Sequence, residues 1–300
     1  MPGVTCGYCN SSDIEVLYAL SNGSVSFSRR RLYSISEDDF CFSDAKVLKC
    51  RSCGLAYLFP KPDADYLHKA YETMEDSLYL AEEKGRAKSA RLLLNKLSRI
   101  KKTGRLLDIG CASGIFLNEA KKLGWEVYGV ELSSWAVNYA KENFGIGIFR
   151  GNLKDAKFPA GYFDAIVMLD SIEHLMDPLG CLTEAGRVLR DDGLLFISTP
   201  DIGSLLSRLM GRYWVGIKQS HLYYFNKRII SRILNDIGFK AVRFSRHIRF
   251  FSLNYLLLKL IPSKIRPKVK PLLDRLPFIS SFLLTVNLGD QLEVCAVKNK

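Results

Sequence analysis

Short apolar runs alternate with amphipathic stretches from residue 105 onward. RLLDIG (105–110), EVYGVEL (126–132), IGIFRG (146–151), FDAIVMLD (163–170) and GLLFIST (193–199) are each bounded by glycine or polar residues, the pattern of strands buried on both faces. Between them, GIFLNEAKKLG, SWAVNYAKENFG and GCLTEAGRVLRDDG read as helices. Repeated strand–helix units predict a parallel sheet covered on both faces. A further helix at 226–238 precedes two more strands, FKAVRFSR (239–246) and LEVCAVK (292–298). About 45 residues separate those two strands, an unusually long connection inside one domain.

Upstream the character differs. Residues 63–100 read as helices, with Leu92, Leu93 and Leu97 in an apolar stripe, and residues 1–60 hold five of the eight cysteines beside β-like runs such as KVLKCRSCGLAYLF. Three parts are expected: a cysteine-rich module over 1–60, a helical linker or cap over 61–102, and an α/β domain over 103–300 with an insertion at about 248–288.

Composition narrows the class. With 48% hydrophobic residues in 300, the chain can bury a real core, which excludes a disordered or low-complexity protein. An excess of 43 Lys and Arg over 31 Asp and Glu favours an anionic partner, whether nucleic acid, phosphorylated sugar or acidic lipid. MPGVTCGYCN has no basic n-region or apolar core, and SLNYLLLKLI (252–261) is too short and too interrupted by Lys259 to span a bilayer. A soluble cytoplasmic protein is therefore expected, with cysteines as thiols or metal ligands rather than disulfides.

LLDIGCASGIFL carries the most specific signal. A buried strand runs into Asp108, and Gly110 and Gly114 occupy the turn before a helix, where glycine lets a ligand approach the main chain and the helix start offers N–H groups. The spacing does not fit a dinucleotide fingerprint, because Ala112 and Ile115 stand where that motif needs glycine. The next strand ends in Glu131, 23 residues after Asp108, where a carboxylate can accept from both hydroxyls of a ribose.

The ordered set Asp108, Gly110, Gly114, Glu131, Asn152 and IEHL resembles class I S-adenosylmethionine-dependent methyltransferases over roughly residues 105–245 and the final strand. The resemblance implies a Rossmann-like, seven-stranded, mostly parallel sheet whose antiparallel last strand pairs with the sixth. It also implies S-adenosylmethionine as cofactor, held by Asp108, Gly110, Ser113 and Gly114 of the turn, Glu131 and Leu132 at the second strand, Asn152 and Leu153 at the adenine, and Leu169 at the fourth strand. Many members carry Asp where Asn152 stands.

Methyl transfer from a sulfonium needs alignment and, for a hydroxyl acceptor, a base. His174 follows the fourth strand and His221 lies in an aromatic-rich loop with Tyr213, Trp214, Tyr223, Tyr224 and Phe225, so both are candidates for that base. The alternative for each is packing: His174 capping the next helix, the aromatic loop anchoring helix 226–238. Asp170, Glu173 and His174 further resemble the acidic–acidic–His cluster of quinone O-methyltransferases, which implies a divalent metal near the acceptor. His68 and His247 read as surface or packing residues.

Cys6-x2-Cys9 and Cys50-x2-Cys53 form two knuckle-like pairs suited to a tetrahedral structural zinc. Cys41 is a spare, and Cys111, Cys181 and Cys295 read as packing residues. CxxC…CxxCGLAYLFPKP followed by helices and the methyltransferase core is similar to a bacterial group associated with surface-glycan and natural-product clusters. Between Lys240 and Ser280, ten Lys or Arg face one acid, Asp274, among apolar runs broken by Pro262, Pro267, Pro271 and Pro277. Short helices at best are expected there, as a lid on the sheet or as a peripheral contact with an anionic membrane at its inner face.

The function expected is O-methylation of a small-molecule, sugar or lipid-linked glycan acceptor. A nucleic-acid methyltransferase is disfavoured: LDSIEH stands where amino-methylating enzymes carry Asn/Asp-Pro-Pro-aromatic, and no Pro-Cys nucleophile is present there. A non-catalytic binding protein on the same fold is the other alternative.

Overall fold

The computed structural model describes residues 3–20, 44–72, 80, 82–261, 265–276, 279 and 282–299. Its centre is a seven-stranded sheet. The strands, in chain order, are β4 (Arg105–Ile109), β5 (Glu126–Glu131), β6 (Ile148–Arg150), β7 (Phe163–Leu169), β8 (Leu189–Pro200), β10 (Phe239–Arg246) and β13 (Gln291–Lys298). Across the sheet they run β10-β13-β8-β7-β4-β5-β6. β4 is parallel to β5 and β7, β5 to β6 and β7 to β8, while β13 is antiparallel to both β8 and β10. The last strand alone is reversed, as the resemblance implied.

Alternation along the strands explains the two-sided burial. Leu107, Ile166, Met168, Leu195 and Ile197 belong to one apolar cluster, and Leu106, Ala165, Val167, Leu194 and Phe196 to another. Successive residues point to opposite faces, so each strand feeds both clusters and reads as a continuous apolar run. Helix α2 (Glu83–Ser98), which follows α1 (Ala64–Glu72), covers the second cluster through Ala90, Leu93, Leu94 and Leu97, beside α3 (Ile115–Lys122). α4 (Ser134–Phe144) starts where the Ser133 hydroxyl accepts from the Ala136 N–H at 3.2 Å and stops at Gly145 in the left-handed conformation. α5 (Pro178–Val188) is capped by Asp177, α6 (Leu205–Met210) by Ser204 and α7 (Lys227–Asp236) by Asn226.

β1 (Ile14–Ala19), β2 (Lys46–Cys50) and β3 (Ala56–Phe59) build a second, antiparallel sheet. Its fourth strand is β9 (Tyr223–Tyr224), far beyond β3 in sequence and part of the aromatic loop. The amino-terminal sheet is thus completed by the methyltransferase-like part of the chain. Cys41, and most of the segment joining β1 to β2, lie outside the described residues.

The long insertion holds the short helices expected and adds a pair of strands to them. It opens with β11 (Arg249–Ser252), continues through α8 (Leu253–Leu260) and α9 (Arg266–Asp274), and returns as β12 (Leu283–Val286). β11 and β12 pair antiparallel from Arg249 opposite Val286 to Ser252 opposite Leu283. Phe250 pairs with Thr285 and Arg249 with Val286, aromatic and β-branched residues that suit strands, while Pro267 sits in the first turn of α9 and Pro271 inside it. Among the described residues, no helix is long and apolar enough to cross a membrane.

Candidate functional site

The turn after β4 is shaped by close approaches. Gly110 adopts φ +75°, and a Cβ there would lie 2.8 Å from that of Ser171 at the exit of β7. Gly114, at φ +76°, begins α3, where a Cβ would come within 3.0 Å of Ala140 in α4. Glu131 ties this turn to the next: one carboxylate oxygen accepts from the Ala112 N–H at 2.9 Å, the other from Leu132 at 2.7 Å and Ser133 at 2.9 Å. Asp108 Oδ1 and Ser113 Oγ are buried without a protein partner. Burial, with the Glu131 charge nearby, pushes the Asp108 carboxyl far above the usual carboxylate range.

A cavity of about 790 Å3 opens beside this turn. Gly110, Glu131, Leu132, Asn152, Leu153 and Leu169 line it, together with Glu173, His174 and His221. Asp108, Ser113 and Gly114 stand outside the lining. Asn152 turns its Oδ1 back to the Asp155 N–H at 3.3 Å. Most of the sequence-derived candidates are therefore brought to one place.

The two histidines meet there. Their ring centroids are 4.8 Å apart at an interplanar angle of 85°. His174 Nδ1 lies 2.8 Å from the Ser220 carbonyl and His221 Nδ1 2.9 Å from that of Gly216. A carbonyl only accepts, so each Nδ1 carries the hydrogen and each Nε2 keeps its lone pair. The Tyr71 hydroxyl, from α1, is 3.0 Å from His174 Nδ1. Enclosure by protein, reinforced by the Lys218 ammonium, lowers His174 to about 4 and leaves its ring neutral. Burial, followed by the adjoining His174 ring and the Lys218 ammonium, lowers His221 as well. Glu173 accepts from the Thr199 hydroxyl at 3.0 Å, and burial together with Asp170 raises its carboxyl to about 8.

The grouping of potential metal ligands differs from the one drawn from the sequence. Glu173, His174 and His221 each offer a ligand atom, all within 4.8 Å of one another. Asp170 is instead engaged by Ser198 and by the Arg249 guanidinium from β11. Strand pairing in the insertion delivers Arg249 to β7, and sequence spacing gives no sign of that.

Other lining residues were outside the sequence reading. Tyr71 comes from the linker helix, and Phe250, Phe251 and Tyr255 come from the insertion. His247, expected at the surface or in packing, lines the cavity and lies 2.7 Å from Glu293, which also binds Lys96 at 2.6 Å. His68, expected alike, is exposed at the cavity rim.

The two cysteine pairs converge at the end of the small sheet. Cys6 and Cys53 sulfurs are 3.6 Å apart, Cys9 and Cys50 sulfurs 3.5 Å apart, and all four lie within 4.8 Å of one another. The Leu55 N–H points to the Cys53 sulfur at 3.5 Å, and the Asn10 and Gly54 N–H groups donate to the Cys6 and Cys50 carbonyls. Burial raises Cys6 and Cys53; at Cys50, main-chain and thiol donors outweigh burial and lower it to about 7. Cys111 and Cys295 are buried, as expected of packing residues, and Cys181 is half-buried at the cavity.

Comparison with known proteins fits this geometry. The family model described as a methyltransferase domain matches residues 81–243. A ubiquinone biosynthesis O-methyltransferase of Cereibacter sphaeroides is 34% identical over 118 residues, covering 37% of this chain and 48% of that protein. One from Parvibaculum lavamentivorans is 34% identical over 101 residues, covering 32% and 40%. The chain spans about half the length of the curated relatives it matches. The crystal structure of an S-adenosylmethionine-dependent methyltransferase from Thermotoga maritima aligns with a TM-score of 0.50 at 18% identity over 74% of this chain and 92% of its own, a likeness of fold. With more than half its length matched, the chain belongs to the methyltransferase-domain family, and it shares the fold of the Thermotoga S-adenosylmethionine-dependent methyltransferase.

Proposed function

We propose that the protein transfers a methyl group to a hydroxyl of a small-molecule, sugar or lipid-linked glycan acceptor. The observation that carries this reading is the His174–His221 pair, two imidazoles with their Nδ1 hydrogens fixed on carbonyls, in the cavity that also contains Gly110 and Glu131. The name of the Cereibacter relatives, an O-methyltransferase, supports the same class of acceptor atom.

S-adenosylmethionine fits the residues present. The cavity is within the size range of cofactor sites. Asp108 Oδ1 and Ser113 Oγ, buried and unpartnered beside the turn, are suited to an ordered water or to the amino-acid end of the cofactor. Gly110 would face that end, Glu131 the ribose, and Leu132, Asn152, Leu153 and Leu169 the adenine. When bound, the cofactor supplies an activated methyl group. His174 or His221 would accept the proton of the acceptor hydroxyl at Nε2, leaving its oxygen ready for the methyl group that the cofactor would supply. Phe250, Phe251 and Tyr255 of the insertion exclude water and give the acceptor an apolar wall.

The clustering of Glu173, His174 and His221 favours a second reading, in which they hold a divalent cation against the acceptor oxygen. The Nδ1 hydrogen bonds would then orient the ligands. Titration of the purified protein with Mn2+ separates the two: activity that persists in chelator, with Mn2+ left unbound at the histidines by electron paramagnetic resonance, supports the base.

We propose further that residues 1–60 form a zinc-ribbon-like module, since four thiolates at this spacing suit tetrahedral Zn2+. Residues 61–102 serve as a helical cap over the cavity, and 103–300 as the methyltransferase domain. Calorimetric titration with S-adenosylhomocysteine tests the main proposal: no detectable uptake by the intact, zinc-loaded chain would sink it, leaving a binding or scaffold role.

A further inference from the structure

The insertion between β10 and β13 exposes apolar side chains where a soluble surface ordinarily presents polar ones. Of the fifteen exposed large hydrophobic residues among the described ones, six fall within 260–288: Leu260, Ile265, Leu272, Leu276, Phe282 and Leu288. Leu260 is 66% exposed and Leu272 63%.

α9 gives these residues an order. At about 100° per residue, Ile265, Lys268, Leu272 and Arg275 fall on one face, with Leu276 just beyond the helix end. Both flanking residues, Ile265 and Arg275, have helical backbone angles, so the face runs the length of the helix. Every one of these five residues is exposed. Lys270 and Leu273, turned away from this face, are half-buried, as is Val269 at its edge. The outward stripe is therefore apolar and basic at once, the reverse of an ordinary surface helix.

Charge selects the partner. From Arg249 to Gly289 the sequence holds seven Lys or Arg and a single acid, Asp274. Apolar residues interleaved with cations match an anionic lipid surface, where leucines enter the headgroup boundary and cations meet phosphates. The insertion also reaches the cavity, which Val286 and the 48% exposed Leu288 line. With no described helix able to cross a bilayer, the contact is peripheral.

We propose that the face formed by α9 and the flanking residues of the insertion docks on an anionic phospholipid surface and turns the cavity mouth toward it. The contact does not depend on which acceptor is methylated. It would suit one carried by lipid.

The full chain is mixed with vesicles of phosphatidylcholine, with or without phosphatidylglycerol, and sedimented at low and high salt. Uptake is expected on the phosphatidylglycerol vesicles alone, falling with salt. L272E/L276E and K268E/R275E each reduce it by about tenfold or more. All four side chains are exposed, and unchanged thermal melting and S-adenosylhomocysteine binding by these variants show that the fold and the cofactor site are intact. The proposal is overturned if the wild-type protein ignores anionic vesicles, if it binds neutral vesicles equally, or if the folded variants bind as the wild type does. A wild-type dimer that L272E/L276E splits, without vesicle uptake, would assign the face to a second copy of the chain instead.

Discussion

His174 and His221 face each other edge to face, 4.8 Å between ring centroids, although 46 residues separate His174 from the Ser220 carbonyl that fixes it. Each ring is oriented by a main-chain oxygen of the aromatic loop, so that loop sets the geometry of both.

Replacing either histidine by alanine is expected to lower kcat by about 10²–10⁴-fold, while S-adenosylhomocysteine affinity changes less than about threefold. Calorimetry and single-turnover methylation give the two quantities. Comparable losses in both would assign the rings to cavity shape.

The opposite pKa shifts of Glu173 and His174 give a signed pH dependence of stability. Glu173, raised to about 8, keeps its proton in the folded state where the unfolded chain has lost it, so its contribution diminishes as pH rises toward 8. His174, lowered to about 4, resists a proton that the unfolded chain accepts below about 6.5, so stability falls as pH drops through that window. Between pH 6.5 and 8 only the glutamate effect remains of these two. Thermal melts of Glu173→Gln should therefore decline less than wild type over that interval; parallel curves would refute the shift.

Glu131→Ala should weaken S-adenosylhomocysteine binding by about 10–100-fold through loss of the proposed ribose contacts, and Glu131→Gln by less. Because Glu131 also accepts three main-chain N–H groups, the alanine variant should melt at a lower temperature as well. Intact affinity in the alanine variant would remove the ribose role.

Elemental analysis of the purified chain should find one zinc per molecule, and Cys6→Ser or Cys53→Ser should abolish it and lower the melting temperature by several degrees. An excess of strong chelator should reproduce the shift. A metal-free protein with the wild-type melting temperature would reduce the quartet to four neighbouring thiols.

Local chemistry made much of this fold legible in the sequence. The strands at 105–110, 163–170 and 239–246 and the helix at 226–238 follow from apolar runs and turn residues close to one another in the chain. Gly110, Glu131 and His174 could be found because strand ends carry the ligands in such sheets. What escaped was long-range. The Arg249–Asp170 pair, the entry of Tyr71 from α1 and the place of His247 in the cavity wall depend on the insertion and the linker folding back across the sheet. Periodicity carries no record of such returns. Nor did it disclose that Tyr223 and Tyr224 would serve as a strand of the amino-terminal sheet, since two residues are too few to show alternation.

That borrowed strand has a mechanical corollary. The Leu58 N–H donates to the Leu222 carbonyl at 2.9 Å, and the Leu222 N–H to the Glu173 carbonyl at 2.8 Å, so a short amide relay runs from β3 to the residue beside His174. The cysteine-bearing sheet thus acts as a splint for the wall on which proton removal is proposed to occur. Excising it as a detachable tag would strip the Leu222 carbonyl of its donor and leave that relay held at the Glu173 end alone.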